Sequence, residues 1–189
     1  MKINDLIGIS QQDEDKNFLE ACFIQDLEQI KLSLKFGANI NAKSPSGING
    51  LYISVLNNNL EIARFLLEQG INIEPSARDY PPLLAAVSFQ NYRMIDLLLR
   101  YKSSLKNIFK IDYIKYAIDL NDELMLNIFL HHQVPLDLTD NMLKNQIYYA
   151  AFLKRTRCLN AFMCYKDQYQ ISDQLLKKVQ EIKDGKKIL

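Results

Sequence analysis

The sequence predicts an all-α solenoid of about five helix-turn-helix copies closed by a C-terminal helix, and three observations carry that expectation. Gly37 in "SLKFGANIN" and Gly70 in "LLEQGINIE" lie 33 residues apart, each three residues after a leucine of an apolar helical pattern. Steps of 31–33 residues then land on Lys102 in "LLLRYKSSL", Gln133 in "IFLHHQVPL" and Lys166 in "AFMCYKDQY". The upstream halves move in step: "GLYISV" (50–55), "PLLAAV" (82–87), "YIKYAI" (113–118) and "QIYYAA" (146–151), with "FLEACF" (18–23) as a shortened first copy. Self-similarity at this period marks stacked repeats. A single helix pair leaves an apolar face that only the next pair can cover, so stability resides in the interfaces between copies.

The elements follow in order. Residues 1–16 form a polar lead-in, and "SQQDEDKN" leads into a first helix that turns Asp15, Lys16 and Glu20 to water. Copies are expected near 17–41, 42–74, 75–106, 107–137 and 138–171. The second is the clearest. Its first helix runs near Asn49–Leu56, "NNN" makes a turn, Leu60–Gln69 is the second helix, and Gly70 ends it because a C′ position commonly needs positive φ. In the third copy Pro81 and Pro82 suit a helix start, where a missing N–H costs nothing. Residues 172–189 read as a capping helix with a basic tail. Ser172 is a good N-cap, Asp173 sits in the first turn, Leu175, Leu176, Val179 and Ile182 share one stripe, and Lys183 and Gly185 mark the end.

These halves resemble the ankyrin repeat. Its "TPLHxAA…G" opening is met by "NGLYISV" and "PPLLAAV", and its "LExVKxLLxxGADVN" half by "LEQIKLSLKFGANIN" (27–41) and "LEIARFLLEQGINIE" (60–74). The likeness is close over residues 17–105 and looser over 106–166. Lys102, Gln133 and Lys166 replace the terminal glycine; Lys115, like Leu84 before it, replaces the usual histidine. The resemblance implies a protein-binding module that uses its concave face, formed by the first helices and the tips of the connecting excursions.

Composition excludes several other classes. With 23 Lys+Arg against 22 Asp+Glu in 189 residues, no global field draws the chain to nucleic acid or anionic membrane. The N-terminus lacks a continuous apolar stretch of the secretory kind, and no apolar run approaches the length of a membrane span. Cys22, Cys158 and Cys164 have no framework spacing and fall where small helical residues are expected, which suits a reduced, cytoplasmic protein without disulfides. The terminal "KKIL" resembles a dilysine retrieval signal but reads better as a solvated basic tail; a charged and apolar tail is also compatible with a translocation signal.

The catalytic motifs are absent: no G-x-S-x-G, H-E-x-x-H, phosphate-cradling glycine loop or C-x-x-C. His131 and His132 are adjacent, so on a helix they diverge by about 100° and cannot share a metal as an i,i+4 pair could. Cys22 is the one candidate nucleophile for a cryptic enzymatic site, and nothing places a histidine beside it. No cofactor, metal, nucleic acid, membrane or small-molecule substrate is therefore expected.

The two positions after each "AA" pair normally project into the groove and are usually polar in the family. Here they are Phe23 and Ile24, Leu56 and Asn57, Ser88 and Phe89, Asp119 and Leu120, and Phe152 and Leu153. Contiguous apolar surface of this kind marks interaction sites. The excursion tips supply a rim (Pro45, Ser46, Ile48; Ala77, Arg78, Tyr80; Phe109, Lys110, Ile111; Asn141, Met142, Lys144), in which Arg78, Tyr80 and Phe109 are hot-spot types. Tyr113, Tyr116, Tyr148 and Tyr149 concentrate aromatic surface in the last two copies, some of it core. The expected partner-binding set is Phe23, Ile24, Leu56, Asn57, Arg78, Tyr80, Phe89, Phe109, Leu120 and Phe152. The partner is expected to be a protein (a toxin, an enzyme or a host protein), bound by a chain that is monomeric when free. The short length with no second domain tilts the reading toward a stand-alone inhibitor or immunity protein in the cytoplasm. The alternative is an effector or adaptor in a host cytosol.

Overall fold

The computed structural model describes residues 11–73, 81–101, 112–139, 141 and 144–185. Eleven helices and no strand occur among them, so the chain is all-α. They fall in two compact units, residues 1–108 and 109–189. In the first unit α1 (Gln11–Ile24) and α2 (Leu27–Lys35), α3 (Gly50–Leu56) and α4 (Leu60–Glu68), and α5 (Pro82–Ser88) and α6 (Tyr92–Arg100) form three pairs. The inner helices stack α1 on α3 and α3 on α5, and the outer α4 packs on α6. In the second unit α7 (Tyr113–Asp119) and α8 (Glu123–His131) pair, as do α9 (Gln146–Phe152) and α10 (Thr156–Cys164), and α11 (Asp173–Lys183) packs on α9.

Local chemistry starts each outer helix. Asp26, Asn59, Asn91 and Asp122 precede α2, α4, α6 and α8, and each side chain accepts the N–H three residues on, at 3.0–3.2 Å. Such a cap is worth about 1 kcal/mol. Arg155 occupies the same place before α10 and makes no side-chain cap. Among the inner helices Asn49, Asp112 and Asn145 cap in the same way, while α5 begins on Pro82 behind Pro81. The three asparagines of "NNN" therefore do three jobs: Asn57 ends α3, Asn58 reverses the chain at φ 53°, and Asn59 caps α4.

Outer helices end through a left-handed residue. Gly37 (φ 103°) and Gly70 (φ 81°) serve α2 and α4, and Gln133 (φ 57°) serves α8. In each case the next residue's N–H reaches back to the carbonyl five residues before it, as in Ile71 to Leu66 at 3.0 Å. Lys102 lies outside the described residues. Lys166 corrects the sequence expectation: it is not left-handed, and the same closure is made one helical turn later by Gln170 (φ 52°) with Ile171 N–H to Lys166 O at 3.0 Å. The extra turn is held by the previous copy. Gln168 Nε2 donates to Leu130 O at 2.7 Å, and Tyr169 Oη donates to Val134 O at 2.8 Å and Leu130 O at 3.3 Å. These bonds supply a donor to Val134 O and add to the Gln133 N–H that Leu130 O already accepts at 3.0 Å at the end of α8.

Both ends of the array are finished with polar groups. Residues 11–16 are the opening turns of α1, not an extended lead-in, so the expected boundary at residue 16 falls inside a helix. Asp13 and Glu14 favour that start through the helix dipole. Asp15 is half-buried and accepts Asn39 N–H at 2.7 Å, while Lys16 and Glu20 face water. Asn17, Glu20 and Gln29 are exposed in the first copy where the second buries Gly50, Ile53 and Ile62, which gives the first copy a solvated outer face. At the other end Ser172 accepts Leu175 N–H at 3.2 Å, Leu175 and Val179 are buried, and Leu176 and Ile182 are half-buried.

Candidate protein-binding face

Every inner helix is followed by one left-handed residue: Gln25, Asn58, Gln90, Asn121 and Lys154, with φ of 52–62°. The residues three and four positions before it are buried core, such as Ser54 and Val55 or Ala86 and Val87. The next two residues rotate away from that core at 100° per residue and project outward. Phe23, Ile24, Leu56, Phe89, Leu120 and Phe152 are exposed, from 43% for Leu120 to 68% for Phe152. Asn57, Ser88 and Asp119 are exposed as well, and Leu153 is half-buried. At the tips, Pro45, Ser46, Asn141 and Lys144 are exposed and Ile48 is half-buried. Arg78, Tyr80 and Phe109 lie outside the described residues, as do Ala77, Lys110, Ile111, Met142 and the tail "KKIL".

Within the first unit, side-chain amides tie one turn to the next. Asn59 Nδ2 donates to Gln25 Oε1 at 3.2 Å, and Asn91 Nδ2 donates to Asn58 Oδ1 at 2.5 Å. Phe23, Ile24, Leu56 and Phe89 ride on these linked turns, and a cleft of about 440 Å³ opens between Leu56 and Phe89 with Arg93 at its edge. Sequence reasoning passed over Arg93. Its signal was its place in the first turn of α6, where α2 and α4 carry Glu28 and Glu61.

In the second unit, Leu120 and Phe152 stand beside a polar cluster. Tyr149 Oη donates to the Asp119 carboxylate at 2.5 Å, Arg155 donates to Asp119 O at 3.0 Å, and the Lys115 ammonium lies 5.5 Å from the Tyr149 ring centre. The bond to Asp119 holds the Tyr149 phenol above its ordinary pKa, with partial burial adding to the effect. Of the four tyrosines, Tyr113 and Tyr148 are buried, and Tyr116 and Tyr149 are half-buried.

The groups considered for catalysis are placed as follows. Cys22 is 1% exposed, and burial pushes its thiol up to about 12, which suppresses the thiolate a nucleophile needs. Cys158 is also buried, with its thiol raised by the same desolvation. Cys164 departs from the small-core expectation: it is the last residue of α10 and is exposed. His131 ends α8, and His132 follows with its ring edge-on at 5.3 Å. Among the described residues no group of three or more His, Cys, Asp or Glu is arranged to hold a metal, and no helix is long and apolar enough to cross a membrane.

Comparison with known proteins matches residues 18–110 to the model for ankyrin repeats (3 copies). A Borreliella burgdorferi protein named for ankyrin repeats is 29% identical over 101 residues, 52% of this chain and 45% of its own. An I-Kappa-B like protein of Microplitis demolitor bracovirus is 37% identical over 81 residues, 41% of this chain and 44% of its own. A protein of Acanthamoeba polyphaga mimivirus, also named for ankyrin repeats, is 31% identical over 94 residues, 45% of this chain and 30% of its own. The chain thus spans less than half the length of each of these relatives. Ankyrin repeats imply a protein-interaction module, and the family is generally non-enzymatic. With the paired helices, the capped outer starts and the left-handed closures already described, this chain belongs over residues 18–110 to the ankyrin-repeat family.

Proposed function

We propose that the chain engages a protein partner through its exposed turn tips and acts as an inhibitor or immunity protein. The observation that carries this reading is the recurrence of at least one solvent-facing large apolar residue at the turn in every copy: Phe23 and Ile24, Leu56, Phe89, Leu120 and Phe152. Keeping such groups in water at a repeated position is the signature of a contact surface. The mechanism is occlusion: partner surface laid over the tips is removed from its own target. Likeness to a relative named as I-Kappa-B like supports an inhibitor-like mode. Viral origin of two relatives favours a second reading, in which the chain is an effector or adaptor acting inside a host cell.

Replacing Leu56, Phe89 and Leu120 together by Ser tests the binding face. The expected outcome is unchanged helicity and melting temperature, with affinity for the captured partner reduced about tenfold or more, the scale of losing one to two hot-spot contacts. Intact binding by a folded triple variant overturns the proposal. The same partner then discriminates the two roles, because an inhibitor silences the partner's own activity in a purified assay and an adaptor leaves it unchanged.

A further inference from the structure

The cleft between the second and third turns carries chemistry that specifies its occupant further, resting on the protein-binding reading above. The nine residues of the first three turns (23–25, 56–58 and 88–90) include no charge, in a chain that is 24% charged. Leu56 and Phe89 line the cleft with Asn58 and Asn91, whose side chains are bonded to each other, and Arg93 is the one charged residue lining it among the described residues. Arg93 is exposed, makes no ion pair among the described residues, and stands in the first turn of α6, where the helix dipole favours an acid. The same place holds Glu28 in α2 and Glu61 in α4, Leu124 in α8 and a second arginine, Arg157, in α10.

Spacing selects the partner's backbone. Helices of adjacent copies pack about 8–10 Å apart, so successive tips are offset by that distance. An α-helix advances about 10.5 Å in seven residues and returns nearly to the same face. An extended strand covers about 10 Å in three residues, which puts those side chains on opposite faces. The helix therefore presents one apolar group to the Leu56–Phe89 cleft and another, on the same face, to the neighbouring tip at Phe23.

We infer that the first unit takes an amphipathic helix of a partner protein, with large apolar residues seven apart and an Asp or Glu beside the one that enters the Leu56–Phe89 cleft, where it pairs with Arg93. Random peptides of about sixteen residues, displayed on phage and selected on the intact chain, provide the probe; enriched sequences are then synthesised and their affinities measured. The expected consensus has the seven-residue apolar spacing with an adjacent acid. Its Kd rises about tenfold with Leu56→Ser and with Arg93→Glu. The Arg93→Glu chain melts no lower than wild type and recovers binding when the peptide acid is changed to Lys. Peptides that need Leu56 and Phe89 but carry basic flanks, show alternating apolar spacing or ignore Arg93→Glu overturn this inference and leave the protein-binding proposal standing. Selection that yields no peptide dependent on Leu56 or Phe89 overturns both.

Discussion

The two units build the same helix pair and finish it differently. In the first, the outer helices α2 and α4 stop on glycine, at Gly37 and Gly70, and the chain leaves at once for its excursion. In the second, α8 stops on Gln133 and the last pair runs one turn further, to Gln170. Glycine is therefore the cheap solution to a geometric requirement and not the requirement itself. What the four described closures share is a left-handed residue with carbonyl groups satisfied behind it, and cross-copy bonds from Gln168 and Tyr169 accompany the last of them. The family match ends at residue 110, close to the boundary between the units at 108, and it includes a third copy in which Lys102 stands at the glycine position.

The sharpest test of the first unit's close packing is Gly50. A Cβ there would lie 2.9 Å from Cys22 Sγ and 3.1 Å from Phe18 Cζ, both in the buried core. Gly50→Ala should cost about 1–3 kcal/mol in denaturant unfolding, the usual scale of overpacking. Cys22→Ala in the same chain should recover most of it, because the two substitutions share one space. Additive losses would show that the first unit yields elsewhere.

Next in size is Tyr169→Phe in the second unit, which removes the donor to Val134 O and Leu130 O and should cost about 1–3 kcal/mol at neutral pH. Burial pushes the Tyr169 phenol up to about 12, against an ordinary value of 10. The folded state then holds a proton that the unfolded state has lost, so this contribution is complete below pH 10 and disappears as pH rises toward 12. A melting series across that window should show a shallower alkaline fall for Tyr169→Phe. Equal slopes would mean that the extra turn opens before the phenol titrates.

The smallest expected effect is a gain. Lys154 is held at φ 55° between α9 and α10. Left-handed backbone costs a residue with a Cβ roughly 1–2 kcal/mol, and glycine gives back part of that through its freer unfolded state. Lys154→Gly should stabilise the chain by about 0.5–1 kcal/mol, read as a rise in denaturant midpoint. No change would show that the long side chain already offsets the strain.

Much of this was legible because period and capping are local. The pairs, the turn at "NNN", the Pro81–Pro82 start and the Ser172 cap all follow from residues within a few positions of one another. Exposure of Phe23, Ile24, Leu56, Phe89, Leu120 and Phe152 was also readable, since it follows from helical rotation past a buried pair. The late closure at Gln170 was not, because it depends on carbonyls nearly forty residues earlier that no pattern in "YKDQYQ" reveals. Nor was Arg93, whose meaning depends on the cleft beside it.

The ladder of cross-copy bonds has a consequence for how the chain is made. Side-chain bonds between copies, from Tyr149–Asp119 to Tyr169–Leu130, join residues 30 to 39 apart in the described chain. Each copy can therefore dock on its predecessor soon after it leaves the ribosome, without waiting for a distant segment. Topologies with such short-range closure fold quickly and expose little unpaired surface on the way. The apolar tips then reach solvent already fixed in place.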